Sequence, residues 1–248
     1  MQVKDVMTQK VISAHEDDSV VDAARLMLQN RISGLPVLDK KGSLVGIVTE
    51  GDFLRRRELG TQRRRPRWLE FVIGPGRLAD EYVHTAGRKV GEIMTLNPQF
   101  VTENEELVAV VEKMERYHIK RLPVMRDGRV IGIVSRANLM HALASFARDG
   151  EAPAGSDTPG PDWAIRGEIL AALGQQRWAP DINVVVRNGV VDLWGVITDE
   201  RERQALVVAA ENIAGVKQVH DHLVWVEPMS GMAFPSAEDE PKERSAST

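Results

Sequence analysis

Cysteine is absent from the 248 residues, so the chain can form no disulfide, no thiolate metal site and no cysteine nucleophile. No apolar run approaches the roughly 18 residues that cross a bilayer. Met1, Gln2, Val3, Lys4 and Asp5 lack the apolar stretch of a signal peptide, and the expected compartment is the cytoplasm. Gly-x-Ser-x-Gly, His-Glu-x-x-His and Gly-x-x-x-x-Gly-Lys are also missing, and no grouping of acids, histidines and nucleophiles stands out, which argues against an enzyme. With 43% hydrophobic and 27% charged residues, the composition suits one large or two modest globular domains.

The net charge of −4 argues against general affinity for nucleic acid or anionic membrane. It is unevenly spread. Seven arginines, Arg55, Arg56, Arg57, Arg63, Arg64, Arg65 and Arg67, against Glu58 leave +6 on residues 55–67 and −10 elsewhere. An apolar run follows at residues 68–73, beginning with Trp68. This segment reads either as a solvated basic helix end before an apolar helix or as a local anionic-partner patch.

An internal repeat occupies the first 148 residues. Val6-Met7-Thr8 recurs as Ile93-Met94-Thr95 and Leu35-Pro36-Val37 as Leu122-Pro123-Val124, both displaced by 87; Gly46-Ile47-Val48-Thr49 recurs as Gly132-Ile133-Val134-Ser135, displaced by 86. The missing residue falls where Asp39-Lys40-Lys41-Gly42 faces the shorter Arg126-Asp127-Gly128, a turn, where deletion is tolerated. Val20, Ala23, Ala24 and Met27 match Leu107, Val110, Val111 and Met114, one apolar helix face in each repeat. Asp17-Asp18-Ser19 opens the first helix and the box Thr102-Glu103-Asn104-Glu105 the second. Each repeat then reads as helix, strand pair and helix, and two such units complete one core.

Residues 149–161 turn to Gly, Ala, Pro, Ser and Asp and read as a linker. Beyond them Asp162 can cap a helix with Ile165, Ile169 and Leu173 on its face, and Asn188-Gly189 joins two β-rich runs, a strong hairpin signal. A charged helix over 199–212 ends before Gly215, and residues 219–225 alternate as a last strand, giving the order α-β-β-α-β. The tail from Met229 is expected to be disordered.

The opening Val-Met-Thr, central Leu-Pro-Val and closing Gly-Ile-Val-Thr-x-x-Asp elements, nearly all present twice, resemble a tandem pair of CBS domains, a Bateman module. Residues 162–227, by element order and by Gly189, Gly195 and Gly215, resemble a BON domain. The resemblance implies an α+β protein with two CBS repeats packed as a Bateman module and a small α-β-β-α-β BON-like domain. The expected division is repeat 1 over 1–54, an inter-repeat segment 55–88, repeat 2 over 89–148, the linker, the BON-like domain and a tail 228–248. It further implies a regulatory protein that binds an adenine nucleotide (AMP, ADP or ATP) and associates as a homodimer, the BON-like part meeting a protein or phospholipid partner.

Thr49 and Asp52 stand at a strand-to-helix turn, where a hydroxyl and a carboxylate can meet the two hydroxyls of a ribose; the same pair also spells a capping box, in which Asp52 merely satisfies backbone amides. In CBS pairs the ribose carboxylate works with basic residues of the other repeat's central segment, which places Lys120 and Arg121 opposite Thr49 and Asp52. Ser135 and Asn138 form the second closing motif, with a neutral amide in place of the carboxylate and with Ser33 and Gly34 as the uncharged counterparts of Lys120 and Arg121. His118 reads as structural. His220 and His222 share a strand face but lack a third ligand, and Trp163, Trp178, Trp194 and Trp225 read as packing. The competing function is nucleic-acid binding through residues 55–67, for which steep salt dependence is the discriminator.

Overall fold

The computed structural model describes residues 1–54, 56, 58–61, 75–147 and 162–239. The remaining arginines of the basic run, the apolar 68–73 segment, the whole 149–161 linker and residues 240–248 lie outside the described residues. The chain divides into two compact units, Gln9–Glu103 with Lys113–Ile133, and Met1–Thr8 with Asn104–Glu112 and Val134–Thr248.

In the first of these, helix α1 (Val20–Gln29) opens as its sequence requires: Ser19 Oγ accepts from Asp22 N–H at 3.0 Å. Val20, Ala23 and Met27 are buried. The helix ends with Arg31 at φ 52° and Ile32 N–H returning to the Met27 carbonyl, and helix α5 (Leu107–Arg116) ends identically, with His118 at φ 53° and Ile119 N–H on Met114 O. The 87-residue displacement is thus reproduced at the level of a helix terminus, and His118 has a structural role as the left-handed residue.

Strand β1 (Ala14–His15) runs parallel to β2 (Gly34–Leu38), which pairs antiparallel with β3 (Leu44–Thr49), and β4 (Thr95–Leu96) closes the sheet. Helices α2 (Glu50–Phe53), α3 (Pro75–Ala86) and α4 (Val90–Ile93) follow in the chain. Leu35, Val37, Val48, Val90 and Ile93 make the core. In the second repeat β5 (Val101–Thr102), β6 (Arg121–Arg126) and β7 (Arg129–Ser135) form a three-stranded sheet. The shortened β6–β7 turn is a hairpin with Asp127 and Gly128 both at positive φ, 50° and 77°.

Helix α5 starts at Leu107, later than the box at Thr102 suggested. Its first turn is completed by the chain's own amino-terminal segment, since Leu107 N–H donates to Met1 O and Val3 N–H to Glu105 O. Val111, expected on the buried face, is exposed.

In the second unit a 3-10 turn (Val3–Asp5) and helix α6 (Arg136–Ala147) accompany α7 (Asp162–Gly174), β8 (Asn183–Arg187), β9 (Val190–Ile197), α8 (Glu200–Glu211), β10 (Gln218–Val226) and β11 (Ala233–Phe234). The sheet order is β11-β10-β9-β8; β9 and β10 are parallel because α8 carries the chain back. Ile165, Ile169, Leu193, Ile197, Leu206 and Leu223 form its core, where truncating one such leucine to alanine costs about 2–5 kcal/mol. The hairpin expected at Asn188-Gly189 is present, with φ 51° and 81°.

Asp162 does more than begin a helix: its carboxylate accepts from Asn188 and Gly189 N–H, at 2.7 and 2.9 Å, fastening the hairpin turn to α7. The tail expectation needs correction over residues 229–239. Phe234 stacks on Trp225, and Ser236 Oγ donates to Asp221 O, because the tail returns along β10 and satisfies its edge.

Candidate functional site

Thr49 is the last residue of β3 and Asp52 lies in the turn that leaves it. Both Thr49 N–H and Oγ1 donate to Asp52 Oδ2, at 2.7 and 3.0 Å, so the capping box is formed. Only one carboxylate oxygen is used in it. The other, Oδ1, is 3.5 Å from His84 Nε2 on α3, and the side chain keeps 16% exposure. Capping and ligand recognition are therefore compatible functions of one residue.

Arg121, the first residue of β6, is brought to the same place. Its Nη2 donates to Ser33 Oγ, and its guanidinium lies against Gly34, the register partner of Thr49. Burial pushes the Arg121 pKa down, opposed by the charge of Glu50. Among the described residues no carboxylate is hydrogen-bonded to this half-buried guanidinium, which can supply donors for a phosphate, while Thr49 Oγ1 and Asp52 Oδ1 can supply partners for ribose hydroxyls. Lys120 precedes it and is exposed.

Ser135 and Asn138 reproduce the box in the other unit: Ser135 N–H and Oγ donate to Asn138 Oδ1 at 2.9 and 2.7 Å. The difference is on the other side of the amide. Asn138 is buried, and its Nδ2 donates to Val6 O at 2.9 Å and Thr8 Oγ1 at 3.3 Å. Where Asp52 presents an oxygen, Asn138 is committed to the protein.

Arg166 was not singled out from the sequence. It is 2% exposed, and its fork donates to three carbonyls: Nε to Val184 O (2.7 Å), Nη1 to Lys4 O (3.1 Å) and Nη2 to Met7 O (2.6 Å). Burial holds its pKa down at about 10, with Asp5 pulling the other way. The signal was available: Arg166 lies on the helical face of Ile169 and Leu173, where a cation is out of place unless paired.

Arg56, counted in the basic run, is buried and donates to Gly87 O, His84 O and Glu58. It therefore offers nothing to an anionic partner. His222 is enclosed by Asp192 and Asp239 and stacks on Trp194, whose other neighbour is His141; His220 faces Glu238. No cluster of three or more metal-ligating side chains occurs among the described residues. Trp194 and Trp225 pack as expected, whereas Trp163 and Trp178 are exposed, at 53% and 41%. No described helix is long and apolar enough to cross a membrane.

The doubled motif, the repeated helix terminus and the paired boxes define a protein of the CBS class. Residues 3–58 and 90–145 match the CBS domain family and residues 161–227 the BON domain family. An uncharacterized protein of Methanocaldococcus jannaschii, MJ1426, is 33% identical over 154 residues, 58% of this chain and 91% of that protein. The chloroplastic CBS domain-containing protein CBSX2 of Arabidopsis thaliana is 30% identical over 139 residues, 54% of this chain, a match spanning 58% of the plant protein. The crystal structure of CBSX2 in complex with AMP superposes with a TM-score of 0.51 at 31% identity, over 59% of this chain and 99% of that one. The chain belongs to the CBS domain family, with two CBS repeats followed by a BON domain.

Proposed function

We propose that the protein is a nucleotide-responsive regulator whose CBS pair binds an adenine nucleotide where Thr49, Asp52 and Arg121 converge. The observation that carries this is the placement of the Arg121 guanidinium against Gly34, opposite Thr49 in the β2–β3 register, while Asp52 keeps one oxygen outside its capping box. A similar protein, CBSX2, is crystallised with AMP. Ribose hydroxyls meet Thr49 Oγ1 and Asp52 Oδ1, and the phosphate meets Arg121 with Lys120 at the rim. Ser135 and Asn138 make the weaker site, because a ligand there competes with Val6 and Thr8 for the Asn138 amide.

The protein performs no chemistry on this reading, and acts in the cytoplasm as a homodimer. Its BON domain attaches the sensor to a protein or phospholipid partner. The domain plan is repeat 1 over 1–54, the inter-repeat segment 55–88, repeat 2 over 89–148, the linker 149–161 and the BON domain 162–227. A thermal-shift panel of AMP, ADP, ATP and GMP tests the reading. A ligand at 100 times its Kd adds about 2.7 kcal/mol and moves the midpoint by several degrees. A shift with adenine nucleotides is expected, and no shift with any of them overturns it.

A further inference from the structure

Residues 3–8 are gripped from two sides. Val3 and Val6 are fully buried and Met7 is 3% exposed, so their carbonyls have no water to fall back on. Asn138 Nδ2, from the start of α6, takes the Val6 carbonyl; Arg166 Nη2, from α7, takes the next one, that of Met7, and Nη1 reaches back to Lys4 O. Met7 N–H in turn donates to Val3 O at 2.9 Å, so the two gripped peptides are tied into one short turn. Asn138 and Arg166 have no hydrogen bond with each other, yet each holds its partner carbonyl in place for the other.

The same unit carries further polar contacts between α6 and the carboxy-terminal sheet. Asn183 Nδ2 lies 2.7 Å from His141 Nδ1, Arg187 Nη2 donates to Ser145 O, and Trp194 stacks on His141. Arg166 adds a second cation besides Arg187, and its third bond, to Val184 O, is the one that stays inside the BON domain. The docking of that domain on the amino-terminal turn therefore runs through the Met7 carbonyl, next in the chain to the Val6 carbonyl that Asn138 holds.

We propose that Asn138 and Arg166 form a shared clamp on residues 3–8, by which the second closing motif is coupled to the BON domain. Resting on the nucleotide reading, a ligand that takes the Asn138 amide must take it from Val6, and so loosens the grip of Arg166 on Met7; a nucleotide at Thr49 and Asp52 leaves the clamp alone. Coupling of this kind is reciprocal. Weakening Arg166 then frees Asn138 for the ligand.

The test is a double-mutant cycle in the full chain with Asn138→Ala and Arg166→Met, read as the unfolding equilibrium in urea. Arg166→Met is expected to lower the folding equilibrium constant roughly tenfold less in the Asn138→Ala background than in the wild type, the size of coupling seen between residues of one network. Equal losses in both backgrounds overturn the clamp. Should Arg166→Met fail to fold, Arg166→Lys serves with hydrogen exchange: the Met7 amide is expected to exchange about tenfold faster in Asn138→Ala and in Arg166→Lys alike. An unchanged rate in either overturns the proposal. AMP is then added to the wild type; if it binds nowhere, the nucleotide reading fails, while the cycle still decides the clamp.

Discussion

The guanidinium of Arg121 occupies the space that a side chain on Gly34 would need: a β-carbon built there lies 3.1 Å from Arg121 Cζ and equally close to the Val48 carbonyl, with Nη1 nearer still. The glycine is thus matched to the cation across the repeat. Gly34→Ala is expected to displace the guanidinium and weaken AMP in the same direction as Arg121→Ala. The direct deletion removes charge-assisted bonds of about 1.5–3 kcal/mol, roughly 10- to 150-fold in Kd. Isothermal calorimetry compares the two, and an unaltered Kd for Gly34→Ala would show that the arginine's position is immaterial.

Asp52 has two functions that substitution can separate. Asp52→Ala removes the box and the ligand acceptor together, costing about 1 kcal/mol of stability and at least tenfold in AMP affinity. His84→Ala removes only the neighbour of Oδ1 and is expected to leave affinity within about fivefold, since half-exposed pairs contribute little. A larger effect of His84→Ala than of Asp52→Ala contradicts the assignment of the carboxylate.

Asn138→Ala orphans the buried Val6 carbonyl and is expected to cost about 1–3 kcal/mol in urea unfolding. Its effect on the dominant AMP site is expected to be small. A variant that keeps wild-type stability would mean that the amide is not holding the amino-terminal turn.

His141 provides a pH test. Its pKa is lowered from the ordinary value of 6.5, first by burial and then by the charge of His222. A lowered folded-state value means that the unfolded chain takes up the proton first. The stability contributed by neutral His141 is present above the unfolded value and is lost as pH falls below it. Between about pH 7.5 and about pH 5.5, Tm is expected to drop further in the wild type than in His141→Gln. Parallel curves for the two proteins would remove His141 from the account.

The repeats, the first helix cap, both hairpins and the α-β-β-α-β order were legible because each is specified locally, by i, i+3, i+4 spacing, by Ser19 or by Asn188-Gly189. Thr49 and Asp52 were legible as a pair, though sequence alone could not show that one carboxylate caps and also faces outward. What stayed hidden depends on partners far along the chain. Helix α5 begins late because Met1 and Val3 complete its first turn, Asn138 is enclosed by Val6, and Arg166 is buried because three distant carbonyls receive it. The tail misled because its contacts, Phe234 on Trp225 and Ser236 on Asp221 O, satisfy an edge that composition does not reveal.

The central claim is one dominant adenine-nucleotide site built from Thr49, Asp52 and Arg121. Its most direct measurement is a calorimetric titration of the full chain with AMP, repeated for Arg121→Ala and Asn138→Ala. The account predicts one dominant binding event, weakened roughly tenfold or more by Arg121→Ala and little changed by Asn138→Ala. Two equal sites, a greater loss from Asn138→Ala, or no binding at about millimolar AMP would contradict it.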